Sequence, residues 1–323
     1  MENSVTWYDM LIKTLDEKYP KRSELIQALV DLLCIEREAV YRRLRKDVSF
    51  SIYEIVKISS TWNISLDKIT GLNSGQVPFF MQPMNYIEPS KQESKFLRHV
   101  IQSISFLKNF PDTEFMDVSN KLPRKLLAGY KYLDQFYLFK WKYLYSHEKK
   151  PLMFSQVIVS EEKRQLTAEY YKAIKNVPKS TFILDHHLFD YLVRDVQYFN
   201  SIQMINDDER ELIKKDLYDL LDYLQEIATH ACYPETQNKV NIFISQLNID
   251  TNYSYTYTHK NHVNICFIHV FDKFEVHTFE SEMVSNFIKW MQLRKRTSIN
   301  ITGVDEKSRI EYFTRQRKLV ETL

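Results

Sequence analysis

Glycine is scarce in this chain, with four among 323 residues. Phosphate-binding loops need glycine, because their backbone turns sharply and lies close to the phosphates. Neither the G-x-x-x-x-G-K-[ST] pattern nor the G-x-G-x-x-G pattern occurs in the sequence. The commonest nucleotide-binding enzymes are therefore excluded.

The sequence also has few cysteines, little net charge and no long apolar run. Cys34, Cys232 and Cys266 form no metal-binding or redox motif, which is typical of a reduced cytoplasmic setting. No apolar run approaches the roughly 18 residues that span a bilayer. The first residues, MENSVTW, lack the basic and apolar regions of a secretory signal. We therefore expect a cytoplasmic protein without a membrane partner, and the net charge of +2 is too small for binding through bulk charge.

A change in composition indicates a boundary between two domains. The segment Gly71-Leu72-Asn73-Ser74-Gly75 holds two of the four glycines, and Pro78 and Pro83 follow it. Clusters of this kind punctuate secondary structure, and a chain of this length commonly forms two domains. The sequence predicts domains at 1–72 and 90–323, joined by a linker over 73–89.

Two short helices with a tight turn between them are predicted over residues 21–46. In the first helix, apolar residues recur at three- and four-residue steps and form one stripe: Leu25, Ile26, Leu29, Val30 and Leu33. In the second helix, Val40 and Leu44 lie one turn apart, and the opposite side is polar and mostly cationic. The second helix can therefore dock through Val40 and Leu44 and present its other face to a partner.

A third helix is predicted to begin at Ser51. Ser51 and Glu54 fit the capping box, in which each side chain accepts a hydrogen bond from the other residue's backbone N–H group. The predicted buried face of this helix is formed by Ile52, Ile55, Val56 and Ser59.

The sequence of these helices resembles a known family. It reads Leu29-Val30-Asp31-Leu32-Leu33-Cys34-Ile35, then Ala39-Val40-Tyr41-Arg42, and further on Phe50-Ser51, Ile58-Ser59 and Ile64-Ser65-Leu66-Asp67. This pattern resembles the Cro/C1-type, lambda-repressor-like helix-turn-helix family, whose motif is like LAxxLGVSxxTVSRxxxG followed by PSxxxxxIAxxLxVSLD. The resemblance covers residues 20–72. The chain departs from the family at Cys34, which takes the turn position of a glycine, and at Glu36, which replaces a Ser or Thr cap.

The resemblance implies that the second helix enters the major groove of double-stranded DNA and reads base edges. On this chain, the residues that would face the bases are Arg37, Glu38, Tyr41 and Arg42. An arginine can bond guanine O6 and N7, and a glutamate can accept from cytosine N4. The residues that would contact phosphates, which position the protein without reading sequence, are Lys21, Arg22, Ser23, Arg45 and Lys46.

The charge of this region leaves a second interpretation open. Residues 1–71 contain eleven Lys or Arg and eleven Asp or Glu, so the domain is neutral as a whole. The positive charge is local, because residues 37–46 contain five cations and a single acidic residue, Glu38. A short basic helix is also often a solvated face, and a helix-turn-helix can instead dock another protein.

The second domain is predicted to be mainly helical, with a smaller β part. Helical spacing covers 90–110, 126–145, 160–176 and 187–202, and Asn206 with Glu209 forms a capping box that opens a helix to Ala231. Alternating apolar residues then predict strands over 239–249, 253–258, 262–271 and 274–279, followed by helices over 280–295 and 305–322. We expect an α+β domain, helical to about 232, with a small antiparallel sheet.

Enzymatic motifs are absent from the sequence. It contains no GxSxG, HExxH or CxxC pattern, and His186 and His187 stand on no recognisable metal-binding frame. We therefore expect no catalytic residues, no cofactor and no metal, although an enzyme with a DNA-binding head stays as a third alternative.

The function expected from the sequence is sequence-specific DNA binding by a transcriptional regulator. The arrangement also looks like bacterial regulators that carry a Cro-like head and a long C-terminal domain. Such proteins bind as homodimers, and their second domain senses a small-molecule or protein effector, dimerises, or does both. The last helix, with Ile310, Phe313, Leu319 and Val320, is a candidate for the dimer contact, and packing onto its own domain is equally compatible with its sequence.

Overall fold

The computed structural model describes residues 6–62, 64–70, 77–81, 90–127, 129–145, 152–251, 253–259, 263–270 and 274–323. The chain divides into two compact units, Met1–Pro78 and Phe79–Leu323, which we call unit 1 and unit 2. The division falls within the predicted linker, most of which, with Gly71, Gly75 and Pro83, lies outside the described residues.

Unit 1 is helical throughout its regular structure in the described residues. Its helices are α1 (Trp7–Lys18), α2 (Arg22–Leu33), α3 (Arg37–Leu44), α4 (Ile52–Trp62) and α5 (Leu66–Ile69). The apolar stripes of α1, α2 and α3 meet in one core, where Leu11, Leu25, Leu29 and Val40 are fully buried. The two helices predicted over 21–46, and their docking through Val40 and Leu44, are confirmed.

The buried face of α4 differs from the prediction. Ile52 is 82% exposed and Val56 is 52% exposed, whereas Glu54 and Ile58 are buried. The carboxylate of Glu54 forms an ion pair with Arg43, and this pairing turns Glu54 inward. The predicted burial of Ile52 and Val56 is therefore wrong, because α4 turns the face with Glu54 and Ile58 inward, where Arg43 pairs with the Glu54 carboxylate.

Unit 2 combines helices with one sheet, in keeping with a mixed α and β class. Its helices are α6 (Ser90–Leu107), α7 (Arg124–Leu127), α8 (Lys131–Tyr145), α9 (Glu161–Lys175), α10 (Asp190–Ser201), α11 (Asp207–His230), α12 (Ser281–Arg296) and α13 (Glu306–Glu321). Its strands are β1 (Phe80–Met81), β2 (Glu114–Ser119), β3 (Lys179–Asp185), β4 (Lys239–Ser245), β5 (Tyr253–His259), β6 (Val263–Val270), β7 (Phe274–Thr278) and β8 (Ser298–Asn300). Across the described ranges, no helix has both the length and the apolar character that crossing a bilayer requires.

The sheet is larger than the sequence predicts. Its eight strands lie in the order β1-β7-β6-β5-β2-β3-β4-β8, and β2, β3 and β4 run parallel to one another. The prediction of a helical segment up to 232 followed by a small antiparallel sheet is therefore wrong at β2 and β3. Both strands are buried on their two faces, so their residues show none of the alternation that revealed β4 to β7.

Helices cover both faces of the sheet. Phe115, Phe182 and Ile242 face the core shared with α8, α10, α11 and α13, while Met116 and Ile183 face the core shared with α12. The capping box predicted at Asn206 and Glu209 is confirmed at the start of α11. In α13, Phe313 and Val320 are buried in the larger core, so this helix packs onto its own unit.

Candidate nucleic-acid interface

The turn between α2 and α3 sets the direction of α3. Cys34 ends α2 in a left-handed conformation, with φ 54° and ψ 45°, and its N–H group donates to the Val30 carbonyl oxygen at 2.9 Å. Glu36 precedes α3 with extended backbone and caps it with no side-chain hydrogen bond. This turn buries Val40 and Leu44 against α2 and leaves the opposite face of α3 in solvent.

The residues predicted to read bases lie on that exposed side of α3. Arg37, Glu38 and Arg42 are exposed, and Tyr41 is half-buried at the edge of the core. The guanidinium carbon of Arg45 lies 5.6 Å from the centroid of the Tyr41 ring, within cation–π range. Within the described ranges, Arg37, Arg42 and Arg45 form no ion pair. Their N–H donors are therefore available to a ligand.

Arg43 has a different role from its neighbours on α3. Its Nη2 lies 2.9 Å from Oε1 of Glu54, and its Nε donates to Oε2 at 3.1 Å. The same guanidinium donates from Nη1 to the Ala39 carbonyl oxygen at 3.1 Å. Arg43 therefore fixes α3 against the start of α4, and its charge is already neutralised.

Tyr8 holds the segment between α3 and α4 from the other side. Its hydroxyl accepts a hydrogen bond from the Phe50 N–H at 3.0 Å and donates to the Arg43 carbonyl oxygen at 3.1 Å. Burial raises the pKa of this hydroxyl. The end of the exposed helix is thus fixed by side chains from α1 and α4.

Most of the cations predicted to contact phosphates have acidic partners within unit 1. Lys21 Nζ lies 3.0 Å from Oε1 of Glu24, Arg22 pairs with Asp16, and Lys46 pairs with Asp9. The hydrogen bonds from Lys46 and Thr6 hold the pKa of Asp9 well below its usual range. Ser23 is exposed at the start of α2. Among the cations predicted to contact phosphates, Arg45 is therefore the one that forms no ion pair with a described residue.

Sequence reasoning missed these acidic partners. The spacing of Lys21 and Glu24, three residues apart on a helix, is a signal that the sequence contains. Asp16 and Asp9 meet their partners through the packing of α1, and no local pattern indicates such contacts.

An apolar patch covers the outward side of α4. We define it as Ile52, Tyr53 and Val56, which are 82%, 73% and 52% exposed. The Lys57 Nζ lies 6.0 Å from the centroid of the Tyr53 ring, at the margin of the patch. Adjacent exposed apolar side chains of this kind are a feature of surfaces that bind other macromolecules.

Two buried carboxylates of unit 2, those of Asp117 and Asp185, have partners within the protein. Asp117 on β2 and Lys125 on α7 are buried, with Oδ2 and Nζ 2.9 Å apart, and the Ser119 hydroxyl donates to Oδ1 at 2.5 Å. Asp185 accepts hydrogen bonds from the His187 and Ile249 N–H groups, each at 2.8 Å. The portion of the chain that the structure describes contains no cluster of three or more His, Cys, Asp or Glu suited to a metal ion.

The chain was compared with protein-family models, with curated proteins and with solved structures, and none of the three comparisons gave a match. The case for a nucleic-acid interface therefore depends on the residues and geometry of α2 and α3.

Proposed function

We propose that this protein is a sequence-specific transcriptional regulator of the cytoplasm, which binds double-stranded DNA through α3. The observation that supports this most is the asymmetry of α3. Val40 and Leu44 dock the helix, and the opposite side presents Glu38, Arg42 and Arg45. Arginine and glutamate on one short exposed helix can distinguish base pairs in the major groove.

The proposal includes a homodimer. The eight residues of α3 rise about 12 Å, which limits one helix to a few base pairs. Two copies that read half-sites about 34 Å apart gain affinity and specificity together. Unit 2 is the part of the chain that would receive an effector or hold the dimer.

Selection of bound sequences from a random duplex pool tests this function directly. We expect the full chain to enrich an inverted repeat whose half-sites are separated by about one helical turn. A pool that stays random after repeated rounds, together with binding that salt does not weaken, would contradict the proposal.

A matched pair of variants locates the interface. Arg42→Ala should weaken binding to the selected site about 10- to 100-fold and relax its preference at one base pair, because a bidentate contact to guanine is lost. Lys13→Ala removes an exposed cation on α1 and should leave affinity within about twofold. Equal losses in the two variants would show that the effect is one of net charge.

The apolar patch on α4 favours a second candidate, a protein-docking module. In that case Ile52→Ser with Tyr53→Ser should abolish association with the partner, or with a second copy, and the wild-type chain should bind no duplex DNA. Light scattering of the two proteins at matched concentration measures self-association. Unchanged mass for the variant, with DNA binding intact in both proteins, excludes this candidate.

A further inference from the structure

A cavity lies at one edge of the sheet in unit 2. Its volume is about 360 Å³. Lys121 and Leu122, which follow β2, contribute to its lining, as do Leu188, which follows β3, and His269 near the end of β6. Since β5 is antiparallel to both β2 and β6, the strands β2, β3 and β6 all point toward this edge. Ligand sites of α/β sheets lie outside the carboxyl ends of their parallel strands, so the cavity is in the expected position.

Aromatic side chains form much of the wall. Tyr137, Trp141 and Tyr145 contribute from α8, and Tyr191 and Leu192 contribute from α10. A cavity of a few hundred Å³ that combines aromatic walls with convergent polar groups is typical of a small-molecule site.

The ionised groups of the lining leave one cation available. Lys140 and Asp195 form an ion pair with each other. Asp134 and Lys163 also line the cavity, and both have interaction partners. Lys121 is exposed and forms no ion pair with any described residue. The lining therefore combines an apolar, aromatic surface with the Lys121 ammonium group, which pairs with no carboxylate of the described residues.

We propose that this cavity binds a small carboxylate with an aromatic or apolar body. Lys121 binds the carboxylate, and the side chains of α8 and α10, among them Trp141, contact the body of the ligand. A charged acid is preferred over its neutral amide, because only the acid gains an ion pair with Lys121. The binding site does not depend on whether unit 1 binds DNA. Only its role as the effector site of a regulator rests on the proposed function.

Calorimetric titration of the full chain with matched acid and amide pairs tests the chemistry. The probes are benzoate, phenylacetate, indole-3-acetate and octanoate, each beside its amide. We expect saturable binding of at least one acid, about tenfold or more tighter than its amide, and a loss of that preference in Lys121→Gln. Lys307→Gln, which removes an exposed cation outside the cavity, is the control and should bind as the wild type does.

A charge introduced into the cavity wall gives an independent test, because a negative and a positive side chain should change affinity for the acid in opposite directions. Leu144 lines the cavity and is 53% exposed, so polar replacements are compatible with folding. Leu144→Glu should weaken binding of the acid, and Leu144→Lys should strengthen it, each by about threefold or more. Three outcomes overturn the proposal: no acid binds, the amides bind as tightly as the acids, or both Leu144 variants shift affinity in the same direction. None of these outcomes bears on DNA binding, which the duplex selection measures separately.

Discussion

Glu54 both pairs with Arg43 of α3 and caps the start of α4, so its replacement should destabilise both helices. Its carboxylate accepts from Arg43 and from the Ser51 N–H group, the latter at 2.7 Å. Glu54→Gln weakens the bond to a half-buried guanidinium and should destabilise this part of unit 1 by about 1–3 kcal/mol. Hydrogen exchange of peptides from α3 and α4 should accelerate about 5- to 160-fold, as that free energy requires. Glu17→Gln, at an exposed pair 3.9 Å apart, is the control and should change nothing.

The stabilisation that Glu54 provides should depend on pH. Burial alone would raise the pKa of Glu54, but the hydrogen bonds from Arg43 and Ser51 outweigh it and hold the pKa below its usual value. Because an unfolded Glu titrates near about 4.3, the stabilisation is fully present above about pH 5.5 and is lost as the pH falls through the lowered pKa. The stabilities of wild type and Glu54→Gln should therefore approach each other as the pH falls below the pKa of unfolded Glu, and should meet once the pH has passed the lowered pKa of Glu54. A difference that grows with acidification would contradict this origin.

Asp16 restrains a cation that the proposed interface would use. Its ion pair with Arg22 competes with DNA phosphates, so Asp16→Asn should raise affinity for duplex DNA about two- to fivefold. The plot of log affinity against log salt should steepen, because one more cation reaches the phosphates. Glu17→Gln changes net charge equally on the same helix, and a matching gain there would assign the effect to charge alone.

At the scale of elements, the turn at Cys34 stores strain. A non-glycine residue in the left-handed region costs roughly 1 kcal/mol, and the exposed Cys34 side chain offers little packing in return. Cys34→Gly should therefore stabilise unit 1 by about 0.5–1 kcal/mol, and Cys34→Val should destabilise it. Hydrogen exchange of peptides from α2 and α3 measures both changes within unit 1. Loss of stability in Cys34→Gly would show that the turn tolerates cysteine without strain.

Local patterns predict the elements whose apolar residues repeat with one period. The stripes of α2 and α11, and the alternation in β4 to β7, are of this kind. Local patterns fail where a strand is buried on both faces, as in β2 and β3, and where a charged side chain is buried, as in α4. The proposed interface on α3 follows from sequence spacing, whereas the cavity of unit 2 does not. Leu122, Leu188 and His269 come together only through the strand order.

At the scale of the whole molecule, a buried ion pair ties α7 to the centre of the sheet in unit 2. The Lys125 Nζ lies 3.1 Å from the centroid of the Tyr255 ring as well as beside Asp117, and burial lowers the pKa of its ammonium. Lys125→Met leaves the Asp117 carboxylate buried without its cation and should cost about 3–5 kcal/mol of unfolding free energy. Thermal and urea unfolding followed by circular dichroism measure this loss.

A double variant separates the charge from the packing in this pair. Asp117→Leu with Lys125→Met removes both charges, and we expect it to be more stable than Lys125→Met alone. A double variant that is less stable than the single one would show that the shape of the pair matters more than its charge.

The position of β2 has a consequence for synthesis of the chain. Ser119 ends β2, but its antiparallel neighbour begins at Tyr253, about 130 residues later. At about 5–20 residues per second, the ribosome needs roughly 7–26 s to deliver that partner. During this time one edge of the strand has no hydrogen-bonding partner, and such edges are templates for aggregation. Slow translation between β2 and β5 would lengthen this exposure, so a nascent chain of this protein carries an aggregation hazard that the finished sheet does not reveal.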